Sequence, residues 1–141
     1  MVLGAALALY PSAMPAGERL VPPSKASKTQ VGLASYYARR LDGKKTANGE
    51  RFSNEEFVAA HRTYPLGTRV RVTNLKNGRS VVVRINDRGA SAQNRREGVI
   101  IDVSQAAADR LQMKRDGRVR VQVAVLEWGE DDHPALAEVS G

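Results

Sequence analysis

The chain has 141 residues and a formal net charge of +7, and it contains no cysteine. A chain of this length can bury a hydrophobic core as one domain without covalent cross-links. The absence of cysteine excludes disulfides, thiolate metal sites and a cysteine nucleophile, and we expect no cysteine-linked lipid anchor in the sequence as given. There are two histidines and no carboxylate loop of the Asp-x-Asp type, so we predict neither a metal nor another cofactor.

The positive charge is concentrated in residues 31–128, which carry 19 Lys and Arg against 10 Asp and Glu. Residues 129–141 carry four acids and no Lys or Arg. A basic body suits a polyanion, such as nucleic acid or a carboxylate-bearing cell-wall polymer, or it is simply a solvated surface. The 7 aromatic residues supply few platforms for base stacking, so we expect no nucleic-acid partner.

Residues 1–17 combine a short apolar run with a small-residue end that contains Pro11 and Pro15. The run is too short to span a membrane and resembles the hydrophobic part of a secretory signal, although no basic residue precedes Arg19. Either the true signal is longer or the segment is a flexible terminus. We favour export to the periplasm or cell envelope. Residues 18–30, with Pro22 and Pro23, are typical of an extended linker.

Alternating or β-branched runs predict short strands over residues 31–37, 68–74, 79–85, 99–101 and 119–126. Residues 57–61 form a further short apolar run, and residues 39–54 are a long polar loop. Asn77-Gly78 predicts a hairpin turn between the second and third of these strands. Ser104 is the expected N-cap of a two-turn helix that ends near Leu111. The pattern indicates a mainly β fold, a compact barrel with one or two short helices over residues 31–127, followed by an acidic, flexible tail over residues 128–141.

Residues 81–90 are the centre of the functional prediction, because an apolar strand there runs into a polar turn that contains Asp87. If the pleat continues, Asp87 shares the inward face of Ile85, and Arg84 and Arg88 point outward. A carboxyl at the end of a strand is a common place for a reacting group. The same residues also suit an ordinary turn, in which Asp accepts backbone hydrogen bonds and Gly89 takes a positive φ.

Seven short runs occur in order along residues 31–126, and together they resemble one family. They are Ala34-Ser35-Tyr36-Tyr37, Thr46-Ala47-Asn48-Gly49-Glu50-Arg51-Phe52, Ala59-Ala60-His61-Arg62-Thr63, Pro65-Leu66-Gly67-Thr68, Asn74 with Asn77-Gly78, Val83-Arg84-Ile85-Asn86-Asp87-Arg88-Gly89, and Ile101-Asp102-Val103-Ser104. In this order and spacing they resemble the RlpA-like double-psi β-barrel proteins, the rare lipoprotein A family of bacterial cell-wall enzymes. The resemblance implies a six-stranded double-psi β-barrel.

The resemblance also implies lytic transglycosylase activity on peptidoglycan glycan strands, which leaves 1,6-anhydro muramyl ends in cell-wall remodelling and daughter-cell separation. The catalytic positions carry over to Glu50, His61 and Asp87. Asp87 is our choice for the group that gives a proton and then acts as base, and Glu50 would stabilise the developing positive charge or share the proton. His61 would orient a carboxyl or hold sugar hydroxyls, although on residue type alone a satisfied, half-buried histidine is the simpler interpretation.

The residues expected to bind substrate are Asn48, Asn86, Arg62 and Arg88, with the arginines receiving substrate carboxylates. We expect a monomer. The chain departs from the family where Ala90-Ser91 stands in place of Pro and an aromatic residue. We therefore expect these positions to supply no sugar-stacking ring beside Asp87. The alternative function is therefore a non-catalytic module that binds cell-wall carbohydrate, as in the related expansin barrels.

Overall fold

The computed structural model describes residues 28–89 and 91–130, and the predicted signal and nearly all of the predicted linker lie outside them. The strands are β1 (Thr29–Tyr36), β2 (Val58–His61), β3 (Arg69–Asn74), β4 (Ser80–Asp87), β5 (Val99–Val103) and β6 (Val119–Glu127). The helices are α1 (Ala92–Arg96) and α2 (Gln105–Leu111), and a single 3-10 turn covers Arg39–Leu41.

The six strands close into a barrel in the order β1-β5-β2-β4-β3-β6. Two neighbouring pairs, β1 with β5 and β2 with β4, are parallel, and the other four pairs are antiparallel. Closure leaves no free sheet edge for another chain to pair with. The prediction of a mainly β, six-stranded double-psi barrel with one or two short helices is confirmed.

Alternating β-branched residues build the interior of this barrel. Val70, Val72, Val83, Val121 and Val123 are each at most 1% exposed, because every second side chain of β3, β4 and β6 points inward. Each such burial stabilises the fold by roughly 1.5 to 3 kcal/mol relative to an exposed side chain. The predicted hairpin over β3 and β4 is confirmed, and Gly78 in its turn has φ +80°.

The helix predicted after Ser104 is also confirmed. The Ser104 hydroxyl accepts a hydrogen bond from the Ala107 N–H at 3.3 Å, and α2 packs Ala107, Ala108 and Leu111 into the core. Residues 91–98 contain α1, whose first turn is capped because the Ser91 hydroxyl accepts from the Asn94 N–H.

The ends of the barrel differ from their predicted positions. β1 begins at Thr29, inside the predicted linker. At the other end, Trp128 packs edge-to-face on Tyr64, and the Gly129 N–H donates to the Thr68 hydroxyl at 3.0 Å. The first residues of the predicted tail therefore dock on the barrel, and residues 131–141 lie outside the described part of the chain.

One expectation about β4 was wrong in a way that shapes the site. Ala59 of β2 pairs with Ile85, but the next residue, Ala60, pairs with Asp87, so Asn86 is an extra residue in β4. This β-bulge buries Asn86, which is 2% exposed, and leaves Asp87 half-buried. Asp87 consequently leaves the core-facing row of Ile85 and lies at the barrel surface.

Candidate active site

Asp87 lies on the wall of a cleft of about 530 Å³. The lining includes two carboxyls, three aromatic rings and three cationic side chains, which are Asp87, Asp102, Tyr36, Tyr37, Phe52, Arg40, Lys44 and Lys45. Concave sites with apolar walls and a few converging polar groups are where ligands usually bind. The combination of ring faces, carboxyls and cations suits a sugar polymer that carries carboxylates.

Three hydrogen bonds hold the Asp87 carboxylate in one orientation. Its Oδ2 accepts from the Tyr37 hydroxyl at 2.7 Å, and its Oδ1 accepts from the Ala47 N–H at 3.1 Å and the Arg88 N–H at 2.9 Å. The donors come from the residue that follows β1, from the 46–50 loop and from the turn after β4. The carboxylate therefore ties three separate segments together at the mouth of the cleft.

Tyr37 forms part of the aromatic wall beside this carboxylate. Its ring stacks on Phe52 with the centroids 4.1 Å apart, and the Gln105 side chain of α2 donates to the Tyr37 carbonyl at 2.7 Å. Burial, the hydrogen bond to Asp87 and the charges of Asp87 and Asp102 raise the pKa of Tyr37 well above its usual range. Tyr37 is therefore a neutral hydrogen-bond donor at physiological pH.

Glu50 lies in the same loop network as Asp87 but is not among the residues that line the cleft. Its carboxylate is 2.8 Å from Arg84 Nη2 and accepts from Asn86 Nδ2 at 3.3 Å. Burial raises the pKa of Glu50, but the hydrogen bonds from Arg84, Asn48 and Asn86 outweigh it and set the pKa below its usual range. Glu50 is thus an ionised anchor between the loop and β4.

Asn48 and Asn86 are internal to the same network. Asn48 is 1% exposed, and its Oδ1 accepts from the Thr46 hydroxyl at 2.5 Å and the Glu50 N–H at 3.1 Å. The Asn48 N–H in turn donates to the Asn86 carbonyl at 3.3 Å. Both asparagines therefore brace the 46–50 loop against the bulge of β4.

His61 is held on a different side of β2. It is 4% exposed, its Nδ1 accepts from the N–H groups of Thr63 and Tyr64 at 3.1 and 3.0 Å, and its Nε2 is 2.9 Å from Gln30 Oε1. These contacts assign the proton to Nε2. Burial, followed by the positive charges of Arg88 and Lys28, lowers the pKa of His61 to about 4, so the ring is neutral near pH 7.

Arg62 and Arg88 lie with His61 at a second, smaller cavity of about 230 Å³. Arg88 Nη1 donates to the backbone carbonyls of His61 and Tyr64, the first at 3.2 Å. The two arginines that were expected to point outward both find partners within the protein, because Arg84 turns onto Glu50 and Arg88 turns onto the β2–β3 connection. The structure therefore groups Asp87 with Glu50, Asn48 and Asn86. It places His61 in a separate group with Arg62 and Arg88.

A family model described as lytic transglycolase matches residues 29–123, which is nearly the whole barrel. The chain belongs to the lytic transglycolase family.

The RlpA-like resemblance is confirmed by curated relatives as well. The endolytic peptidoglycan transglycosylase RlpA of Neisseria meningitidis is 46% identical over 116 residues, which cover 82% of this chain and 47% of that protein. The probable endolytic peptidoglycan transglycosylase RlpA of Treponema pallidum is 50% identical over 108 residues, or 77% of this chain and 30% of that protein. The chain thus spans about half or less of the length of these relatives.

Solved structures of more distant proteins share the fold of this lytic transglycolase family member. The papain inhibitor of Streptomyces matches with a TM-score of 0.53 at 24% identity, over 70% of this chain and 93% of the inhibitor. Cerato-platanin 3 from M. perniciosa matches with a TM-score of 0.51 at 17% identity, over 70% of this chain and 95% of that protein. At these identities the likeness concerns the fold alone.

Tyr37 and Asp102 are among the cleft residues that were not selected from the sequence. Both lie inside runs that carry the family resemblance, at the end of the first run and at the centre of the last. Neither run indicates which strand its residues will pair with, so neither side chain could be placed in the cleft from local patterns. Among the described residues, no group of three or more His, Asp or Glu side chains could hold a metal ion, and no helix is long and apolar enough to cross a membrane.

Proposed function

We propose that this chain is the catalytic domain of a lytic transglycosylase that cleaves the bond between N-acetylmuramic acid and N-acetylglucosamine in peptidoglycan glycan strands. The observation that carries the proposal is the Asp87 carboxylate, fixed by three hydrogen bonds at the wall of a 530 Å³ cleft. Family membership and the names of the curated relatives support the same chemistry. The products would carry 1,6-anhydro muramyl ends, formed during cell-wall remodelling and daughter-cell separation.

The lining of the cleft suits this substrate. The rings of Tyr36, Tyr37 and Phe52 offer apolar faces against which a sugar ring can pack. Lys44 and Lys45, with Arg40, can pair with the carboxylates of muramyl lactyl groups or stem peptides. In this proposal the three cations perform the role that sequence reasoning assigned to Arg62 and Arg88.

The reaction requires a base and an acid. The muramyl C6 hydroxyl attacks C1, so a base must take the hydroxyl proton, and an acid must protonate the departing glycosidic oxygen. The sequence alone gave both tasks to Asp87. Because the carboxylate accepts hydrogen bonds from all three of its partners, we assign it the base half of the reaction.

Glu50 and His61 act in this proposal as positioning residues. Glu50 binds Arg84 and Asn86, which fixes the loop whose Ala47 N–H donates to Asp87. His61 fixes the turn after β2 through Nδ1 and contacts Gln30 of β1 through Nε2. Neither residue reaches substrate directly, and Asn48 and Asn86 support the same loop.

The proposed setting is the bacterial cell envelope, with the chain exported and monomeric and with no cofactor. Residues 1–17 would direct export. The peptidoglycan glycan strand is the partner, and peptide-free glycan is the form that enters the cleft most easily. We propose no nucleic-acid partner.

The test is digestion of purified sacculi, both intact and stripped of stem peptides, by the full 141-residue chain, followed by mass spectrometry of the released fragments. We expect 1,6-anhydro muramyl products, released faster from the stripped sacculi. Fragments with reducing ends would show hydrolysis instead. Binding to sacculi without any released fragment would support the expansin-like module and contradict the proposal.

A further inference from the structure

Asp102 is a second carboxyl in the cleft, and neither the family resemblance nor the proposed function assigns it a role. It lies in β5 and is 7% exposed. Its Oδ1 accepts a hydrogen bond from the Ser35 hydroxyl across the β1–β5 pair, and its Oδ2 faces Gly89. Asp102 nevertheless lines the same cleft as Asp87, which makes it a candidate for function.

The strand register places Asp102 and Asp87 on either side of one residue. Ala60 of β2 pairs with Asp87 of β4 on one side and with Asp102 of β5 on the other. Directly paired residues point to the same face of a sheet, and neighbouring strands are about 4.8 Å apart, so the two Cα atoms are roughly 10 Å apart. Side chains that converge from this separation leave room for a glycosidic bond between their carboxyls.

Both carboxyls act on a shared neighbour. Asp87 accepts a hydrogen bond from Tyr37, and the charges of Asp87 and Asp102 both act on that phenol. Asp87 is held by backbone N–H groups, whereas Asp102 is buried against Ala60 and Gly89. A proton donor to the departing oxygen and a base for the attacking hydroxyl have to flank the scissile bond, and Asp102 and Asp87 both line the cleft on opposite sides of Ala60.

We propose that Asp102 is the general acid of the transglycosylase reaction and that Asp87 is its base. The inference rests on the proposed function. The bond between C1 and the glycosidic oxygen breaks, its electron pair stays on that oxygen, and the oxygen takes the proton of Asp102. The C6 oxygen bonds to C1 and gives its proton to Asp87. No water is consumed, and the two carboxyls recover their starting forms by proton exchange with solvent in the open cleft.

The experiment compares two substrates in which only the leaving group differs. One is a peptide-free glycan oligomer, whose departing sugar oxygen needs a proton, and the other is an aryl glycoside of the same oligomer, whose phenolate departs without one. We expect the kcat of Asp102→Asn on the glycan to be at least 100-fold below that of the wild type. On the aryl glycoside, we expect the loss of kcat to be at least tenfold smaller than the loss on the glycan. Asp87→Asn should lose a similar factor on both substrates, because the C6 hydroxyl must be deprotonated in each case.

Two controls separate catalysis from structure. Asp109→Asn removes a carboxyl that pairs with Lys114 outside the cleft, and it should leave both rates unchanged. Ser35→Ala removes the hydrogen bond to Asp102 but keeps the carboxyl, and its loss on the glycan should be smaller than that of Asp102→Asn. If Asp102→Asn does not fold, as judged by circular dichroism, Asp102→Ser is compared on the same two substrates.

The failures are distinguishable. If the wild-type chain cleaves neither substrate, the proposed function fails. If the wild type cleaves both and Asp102→Asn loses less than threefold on the glycan, or loses equally on both substrates, the assignment of Asp102 as acid is wrong while the proposed function stands. Equal losses in Asp102→Asn and Ser35→Ala would identify a structural hydrogen bond and would also overturn the assignment.

Discussion

At the scale of single residues, His61 shows how residue type can indicate a site without revealing the role of the side chain. The sequence predicted a catalytic group, and the structure gives both ring nitrogens partners within the protein. Its ring also stacks on Tyr64 with the centroids 3.7 Å apart. A histidine that is buried and neutral in this way links the stability of the barrel to pH.

We predict that His61 makes the fold lose stability on acidification. In the unfolded chain His61 binds a proton near pH 6.5, whereas in the folded chain its pKa is about 4, so the unfolded state binds more protons between these values. The stability is therefore complete above about pH 6.5 and falls as the pH drops toward 4, by up to about 3 kcal/mol. Urea denaturation of the wild type and of His61→Gln from pH 7 to 4 measures this, and the variant should show a flatter profile. Parallel profiles would mean that His61 does not titrate as described.

At the scale of elements, the turn after β4 depends on Gly89. This residue has φ +57°, and a Cβ added there would lie 2.3 Å from Ala60 Cβ and 3.0 Å from Asp102 Oδ2. Only glycine allows the turn to pass this close to β2 and β5. The close approach brings Asp87 and Asp102 to the same opening.

We predict that Gly89→Ala destabilises the protein by about 2 to 4 kcal/mol, since it combines a positive φ with a steric clash. Gly43→Ala is the matched control, because Gly43 has φ +82° but nothing lies within 4 Å of its added Cβ. The control should cost only about 1 kcal/mol, the price of the backbone conformation. Thermal unfolding of the three proteins measures both effects, and equal losses at the two glycines would refute the close packing around Gly89.

The elements that the sequence predicted well are those set by local patterns. The hairpin follows from alternating valines and Asn77-Gly78, and α2 follows from the cap at Ser104. The position of Asp87 was predicted less well, because the extra residue Asn86 depends on pairing with β2, 25 or more residues earlier in the chain. A β-bulge of this kind has no local signature in the sequence.

At the scale of the whole molecule, the positive charge has a specific arrangement that the total of +7 does not convey. Part of it is used internally, in the contacts of Arg84 with Glu50 and of Arg88 with backbone carbonyls. Another part, from Arg40, Lys44 and Lys45, borders the cleft. This second part is placed to attract an anionic polymer toward Asp87.

The pairing of strands distant in sequence assembles the cleft. Its two carboxyls come from β4 and β5, its aromatic wall comes from β1 and the loop before β2, and Ala60 of β2 lies between the carboxyls. The sequence could supply only one of the two carboxyls, since Asp87 was selected and Asp102 was not. It could not supply their grouping, which depends on closure of the barrel.

The measurement that tests this account most directly is the rate at which Asp87→Asn releases 1,6-anhydro muramyl ends from peptide-free sacculi, relative to the wild type and Asp109→Asn. The amide has the shape of the carboxylate and can still accept from the Ala47 and Arg88 N–H groups, so the fold and glycan binding should persist. We predict a rate at least 100-fold below the wild type, as expected for loss of a catalytic base, and no change in Asp109→Asn. A rate for Asp87→Asn within threefold of the wild type would show that the reaction takes place elsewhere on the barrel.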